Sequence, residues 1–264
     1  MRVIDFIFLI WSLQIGTINT SFASGTERQI PRIKLFQYNH NHEKFKELTS
    51  KLSQGNLRSE KIDLKLLRSN RKILESYLES IQSVAQSEFR EYNDQEKTAF
   101  LVNVYNAYTL YSLLEKNSSD LINLNPTDGI EIFGDQLTVQ DFEMKFLKKR
   151  ISDPRALFAL FCFDSLCPSV NMKVLTAESL SSQIDEITKN FLMDTQKNRF
   201  DEKTKTLYLS PFFKKYKSEF SRHYQSPELF VAKNLMNKPK QIMKVKYGEI
   251  RVVFLTEPIP KPKQ

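Results

Sequence analysis

The chain has 264 residues, 41% apolar and 27% charged, with only 6 glycines and 10 prolines. That composition excludes a collagen-like, low-complexity or wholly disordered polymer and suits one domain of roughly 200 residues with extensions. The net charge of +8 is spread along the chain, densest in Lys145–Arg150, Phe212–Lys217 and Lys238–Lys246. No zinc-finger, basic-zipper or RNA-recognition pattern accompanies it, so it reads as a solvated surface rather than a nucleic-acid site.

Arg2 precedes an apolar stretch from Phe6 to Ile15, and Ser21 and Ala23 supply small residues before a cleavage point. Residues 1–23 read as a secretory signal peptide; the apolar run is too short for a confident membrane span. Asp5 is an awkward early acid, and an uncleaved anchor is the competing reading. Cleavage would leave a periplasmic or secreted protein without a membrane span. Residues 24–40 read as an exposed leader, and His40 and His42 are expected to be solvated. Residues 41–257 form the domain, and the Pro/Lys-rich residues 258–264 end it.

Phe45, Leu48 and Leu52 predict a helix from 41 to about 53, closed by Gly55, and 62–87 continues the pattern through Leu66, Leu74, Leu78 and Ile81. Asp94 is expected to cap the longest helical pattern, Glu96 to Lys116. The period then changes. Ile130–Phe133 and Gln136–Val139 read as a hairpin turning at Gly134-Asp135. Thr138 and Asp141 loosely follow a capping box for a helix to about Lys149. Ala156–Phe163 is a continuous apolar run, read as a buried strand, with a short buried helix started by Asp153-Pro154 as the alternative. Thr176 is expected to cap a helix over 177–193, Thr206–Leu209 to form a strand, and Ser210-Pro211 and Ser226-Pro227 to start helices. Val252–Leu255 reads as a last strand. The whole reads as a single mostly helical α+β domain with a small mixed sheet.

Three features could carry chemistry. Asn103 and Asn106 share a face of the long helix, although asparagine is a poor helix-interior residue. They either clamp neighbouring loops or contact a ligand. Cys162 and Cys167 flank a loop, where they could form a disulfide, pack as inert thiols or expose Cys167 as a nucleophile. A metal site is poorly supported, since further ligands would have to come from distant histidines. His223 is the imidazole that could act as base for Cys167, and Glu143 is a carboxylate that could assist, although on an amphipathic helix it is expected to be exposed. No phosphate loop, dinucleotide fingerprint, metalloprotease helix or nucleophile elbow is present, and no cofactor is implied.

Taken in order, these blocks resemble the family catalogued as domain of unknown function 547, which includes exported bacterial proteins. The blocks are Ala99–Ala107 with its Asn103-Val104-Tyr105-Asn106 core, Gly134–Leu147, Asp153-Pro154-Arg155 leading to Cys162 and Cys167-Pro168, and Leu207–Ser210 with Phe213 and Phe220. The resemblance implies a pocket near Asn103, Glu143, Arg155 and Cys167, with Asn103, Tyr105, Asn106 and Arg155 as candidate binding residues, and it brings no established activity. Three departures stand out: Leu101 replaces a usual Trp, Glu143-Met144 replaces a Glu-His pair, and Val252–Thr256 replaces an aromatic strand motif. The expected function is an exported binding or scaffold module of the cell envelope, with an envelope polymer or protein as partner. The alternative is a divergent cysteine-dependent amide or thioester hydrolase or transferase using Cys167.

Overall fold

A computed structural model describes residues 38–53, 62–116, 129–162 and 164–260. The expected signal peptide, most of the leader, Gly55 and the end of the Pro/Lys-rich tail lie outside them. The described residues belong to one compact unit, 37–264. It is a single α+β domain, mostly helical, with two small sheets.

The N-terminal part is a helical layer of α1 (Glu43–Ser53), α2 (Leu64–Ser69), α3 (Arg71–Gln82) and α4 (Gln86–Glu91). The continuous pattern over 62–87 is broken twice. At Asn70 the side chain turns back onto the Leu66 carbonyl, as asparagine does when it competes with the helix. Ser83 to Ala85 then separate α3 from α4.

Next comes α5 (Asp94–Lys116), whose cap is Asn93 rather than Asp94. The Asn93 Oδ1 accepts from the Gln95 and Glu96 amides, and the Glu96 carboxylate reaches back to the Asn93 amide. The helix is buried on every side from Thr98 to Leu110 and again at Ser112–Leu114. A helix enclosed all round forms the centre of a core rather than one wall of it.

β1 (Gly129–Ile132) and β2 (Asp135–Thr138) pair antiparallel, Gly129 opposite Thr138. Their turn residues are Phe133 and Gly134, one position earlier than expected, at φ 57° and 80°. A type I′ hairpin turn needs two left-handed residues. The Phe133 ring, packed 4.9 Å from Phe89, holds the first of them in place. Thr138 caps α6 (Val139–Phe142) through the Asp141 amide, and the helix passes through a π-turn (Glu143–Leu147) into α7 (Lys148–Arg150).

The apolar run after Asp153 is not a strand. Pro154 to Ala159 form a 3-10 helix, with Asp153 capping the Arg155 amide. Pro154 fixes a helical φ and the aspartate satisfies a free N–H, so local chemistry favours the short buried helix. Phe158 then sits among Phe191, Phe212, Phe213, Phe220 and Phe230, with ring centroids 4.9–6.2 Å away.

α8 (Leu180–Met193) starts later than Thr176, whose hydroxyl bonds Ser179 instead of capping. β3 (Arg199–Asp201), which the sequence did not announce, runs antiparallel to β4 (Thr206–Leu209). α9 (Phe212–Lys215), α10 (Lys217–Tyr224), α11 (Pro227–Leu235) and α12 (Pro239–Lys246) follow, and β5 (Arg251–Phe254) returns parallel to β4. No described helix is long and apolar enough to cross a membrane.

Candidate functional site

Both interior asparagines of α5 hold irregular backbone. The Asn106 amide donates to the Ala159 carbonyl at 2.9 Å and accepts from the Phe161 amide at 2.8 Å. Asn103 does the same with one residue, donating to the Leu175 carbonyl at 2.8 Å and accepting from its N–H at 3.2 Å. Each side chain thus copies two bonds of a β-ladder, which satisfies buried backbone that has no strand partner. Both are buried, and their amides are engaged in these pairs.

Between the two anchors runs the cysteine loop. Cys162 and Cys167 are joined as a disulfide, with Cα atoms 5.9 Å apart. The Ser210 hydroxyl donates to the Leu166 carbonyl at 2.6 Å. Further along, Gln183 on α8 donates to the Val174 carbonyl and accepts from the Thr176 amide. The strap 168–174 is therefore tied at both ends. It forms one wall of a groove of about 700 Å³. Met172, Val174, Ile187 and Phe191 give the groove apolar surface, and Lys46 and Ser50 of α1 line it too. Lys173 and Glu186 pair at 2.8 Å on its edge. Apolar surface with a few polar groups is the usual make-up of a small-molecule site.

The residues grouped by the resemblance do not all meet there. Tyr105 points away from the asparagines, about 160° round α5 from Asn103 and about 100° from Asn106 at 100° per residue. Its hydroxyl donates to Glu143 at 3.4 Å, and Lys215 donates to the same oxygen at 3.0 Å. Glu143 is buried, against the expectation of exposure. It stands four residues from Val139 and four from Leu147, so it shares their inward face. Met144, where the resemblance implied a histidine, is 52% exposed. Burial, then the nearby Glu143 charge, pushes the Tyr105 phenol well above its ordinary range, so it stays a neutral donor.

Arg155 is held by carboxylates. Its guanidinium donates to Asp153 at 2.6–3.1 Å and to Asp185 at 2.7 Å. The hydrogen bonds to Asp153 dominate in raising its pKa. His223 is exposed on α10, with its ring 6.4 Å from that of Tyr224. Cys167 is half-buried and its sulfur is taken up in the disulfide.

The N-terminal histidines are not solvated as expected. His42 is 2% exposed and its Nδ1 lies 2.8 Å from the Tyr77 hydroxyl and 3.0 Å from that of Tyr38. Its neighbours explain the burial: the leader residues Tyr38 and His40 pack edge-on against Phe100 and Tyr92, which closes the core over the start of α1. Among the described residues no group of three metal-ligating side chains gathers. The sequence reading missed Gln183, Ser210 and Lys215. Of these only Ser210 carried a signal, its place before Pro211, and that signal pointed to a cap; the Phe212 amide does bond it.

The fold and site thus define an α+β domain built around an asparagine-clamped, disulfide-closed loop. Residues 89–192 match the model of a family described as a protein of unknown function, DUF547, and over that stretch the chain resembles it. The match takes in both asparagines, Glu143, Arg155 and the cysteine loop, but not the block at Leu207–Phe220. No curated protein and no solved structure matches the chain.

Proposed function

We propose that the chain is an exported binding or scaffold module of the cell envelope, whose ligand groove is walled by the strap 168–174. The observation that supports this is the fixing of the strap at both ends, by the Asn103 and Gln183 pairs on one side and the disulfide with Ser210 on the other. A wall ordered before the ligand arrives lowers the entropy lost on binding. A disulfide persists in an oxidising compartment, which agrees with a leader that directs export. A Cys167-dependent hydrolase or transferase would first need that bond reduced, because the thiolate is the nucleophile.

Fractionation of expressing cells, followed by N-terminal sequencing and thiol labelling without reductant, tests the export reading. The expected product begins near residue 24, leaves the cytosol and labels at neither cysteine. Full-length protein in the cytosol with two reactive thiols would refute it. For the groove, fragments screened by NMR should shift Met172, Ile187 and Phe191 together, and Asn171→Trp should remove those shifts. Hits scattered evenly over the surface would count against a ligand groove.

A further inference from the structure

The C-terminal helix α12 presents an unusual face. Among the described residues, four large apolar side chains are exposed, and two of them, Met243 at 43% and Tyr247 at 66%, lie one helical turn apart here. The inner side of α12 is accounted for: Val245 is buried and Ile242 packs against the core. At 100° per residue, Met243 and Tyr247 fall at the middle of the outer face, with Lys240 and Lys244 on one side and Lys246 on the other. All three lysines are exposed.

The helix is fixed in this orientation. Glu202 in the β3–β4 turn accepts from Lys238 at 2.6 Å and from Gln241 at 2.9 Å. At the far end Gly248, at φ 74°, accommodates the left-handed residue of a Schellman stop: its amide bonds the Val245 carbonyl and the Glu249 amide bonds that of Lys244. The same turn brings exposed Lys203 and Lys205 to this end of the domain, beside Arg251, whose amide bonds the Lys205 carbonyl. The nearby acids do not cancel this charge. Asp201, Glu202 and Glu249 are outnumbered by Lys203, Lys205, Lys238, Lys240, Lys244, Lys246 and Arg251 on the same segments, and Glu202 is paired with Lys238.

We infer that the outer face of α12 docks on an anionic lipid surface, with Met243 and Tyr247 entering the headgroup region and Lys240, Lys244 and Lys246 around them meeting lipid phosphates. A polyanion such as nucleic acid would use the lysines but would gain little from two apolar side chains at their centre. A bilayer uses both, since apolar burial and attraction to anionic lipid add together. Tyrosine suits the interface, where its ring is half-immersed and its hydroxyl stays wet. The inference is independent of the groove and of the thiol state.

Sedimentation of the mature chain, residues 24–264, with vesicles of phosphatidylcholine and phosphatidylglycerol in equal parts, against phosphatidylcholine alone, tests it. The anionic vesicles should bind at least about 25-fold more tightly, the share of two lysines at about fivefold each, and 0.5 M salt should remove most of the difference. K240Q/K244Q should weaken binding about 25-fold, at about fivefold per lysine. M243S/Y247S, with its charge unchanged, should also weaken it by about tenfold or more. All four side chains are exposed, so matched thermal melts will show that the variants fold. Equal binding to both vesicle types would overturn the proposal. So would full binding by M243S/Y247S, particularly if duplex DNA binds wild type as tightly as the vesicles do, because the face would then be a polyanion site.

Discussion

Asn106 illustrates how one side chain can hold a fold together. In Asn106→Ala the Phe161 amide and the Ala159 carbonyl both stay buried and lose the hydrogen bond to the Asn106 side chain. Taking a hydrogen bond from a buried polar group costs about 1–3 kcal/mol, so with two groups affected the variant should lose about 2–6 kcal/mol. Urea unfolding should show a lower midpoint with an unchanged slope. A midpoint equal to wild type would mean that the amide is not a clamp. Two asparagines in the interior of a long helix were visible in the sequence as residues out of place. Their partners were not, because Ala159 and Leu175 lie 53 and 72 positions away. Glu143 shows the opposite case. Its spacing from Val139 and Leu147 put it on the inward face, but its charge argued for solvent. The ion pair with Lys215 that reconciles the two comes from 72 positions further on.

At the scale of elements, local chemistry was legible and competition between elements was not. The caps at Thr138 and Ser226 and the strands at 206–209 and 251–254 could be read from neighbouring residues. The run at 156–163 could not, since a short apolar stretch has no period to distinguish strand from helix. Its 3-10 turn leads directly into the disulfide, a staple with a sequence separation of 5. Closing so short a loop restricts the unfolded chain by about 2 kcal/mol. Reduction, or C162S/C167S, should therefore lower the melting temperature by roughly 4–8 °C for a domain of this size. Scanning calorimetry with and without dithiothreitol measures this. A melting point that does not move under full reduction would show that Ser210 and the asparagine clamps hold the loop unaided.

For the whole molecule, a buried neutral histidine makes stability depend on pH. His42 lies in the core beside Tyr38 and Tyr77, and its Nε2 has no hydrogen-bond partner among the described residues. Burial first, then the charges of His40 and Lys46, lowers its pKa from 6.5 to about 3. In the unfolded chain the ring takes up a proton as the pH falls below 6.5, while in the folded protein it does not. Proton binding then favours the unfolded state, so stability is complete above that pH and is lost progressively as pH falls towards 3. Between pH 7 and pH 5 this amounts to about 2 kcal/mol. His40, also shifted down chiefly by burial, adds a loss of the same sign. The shifted carboxylates, Asp201 and Glu202, are held below their ordinary values of 3.8 and 4.5 by hydrogen bonds, so their losses come at lower pH. His42→Asn keeps a polar side chain and suits the left-handed backbone at φ 51°. It should start less stable at pH 7 yet lose about 2 kcal/mol less on going to pH 5. Urea midpoints at the two pH values give the comparison. Parallel losses in the variant and wild type would place the acid sensitivity elsewhere in the protein.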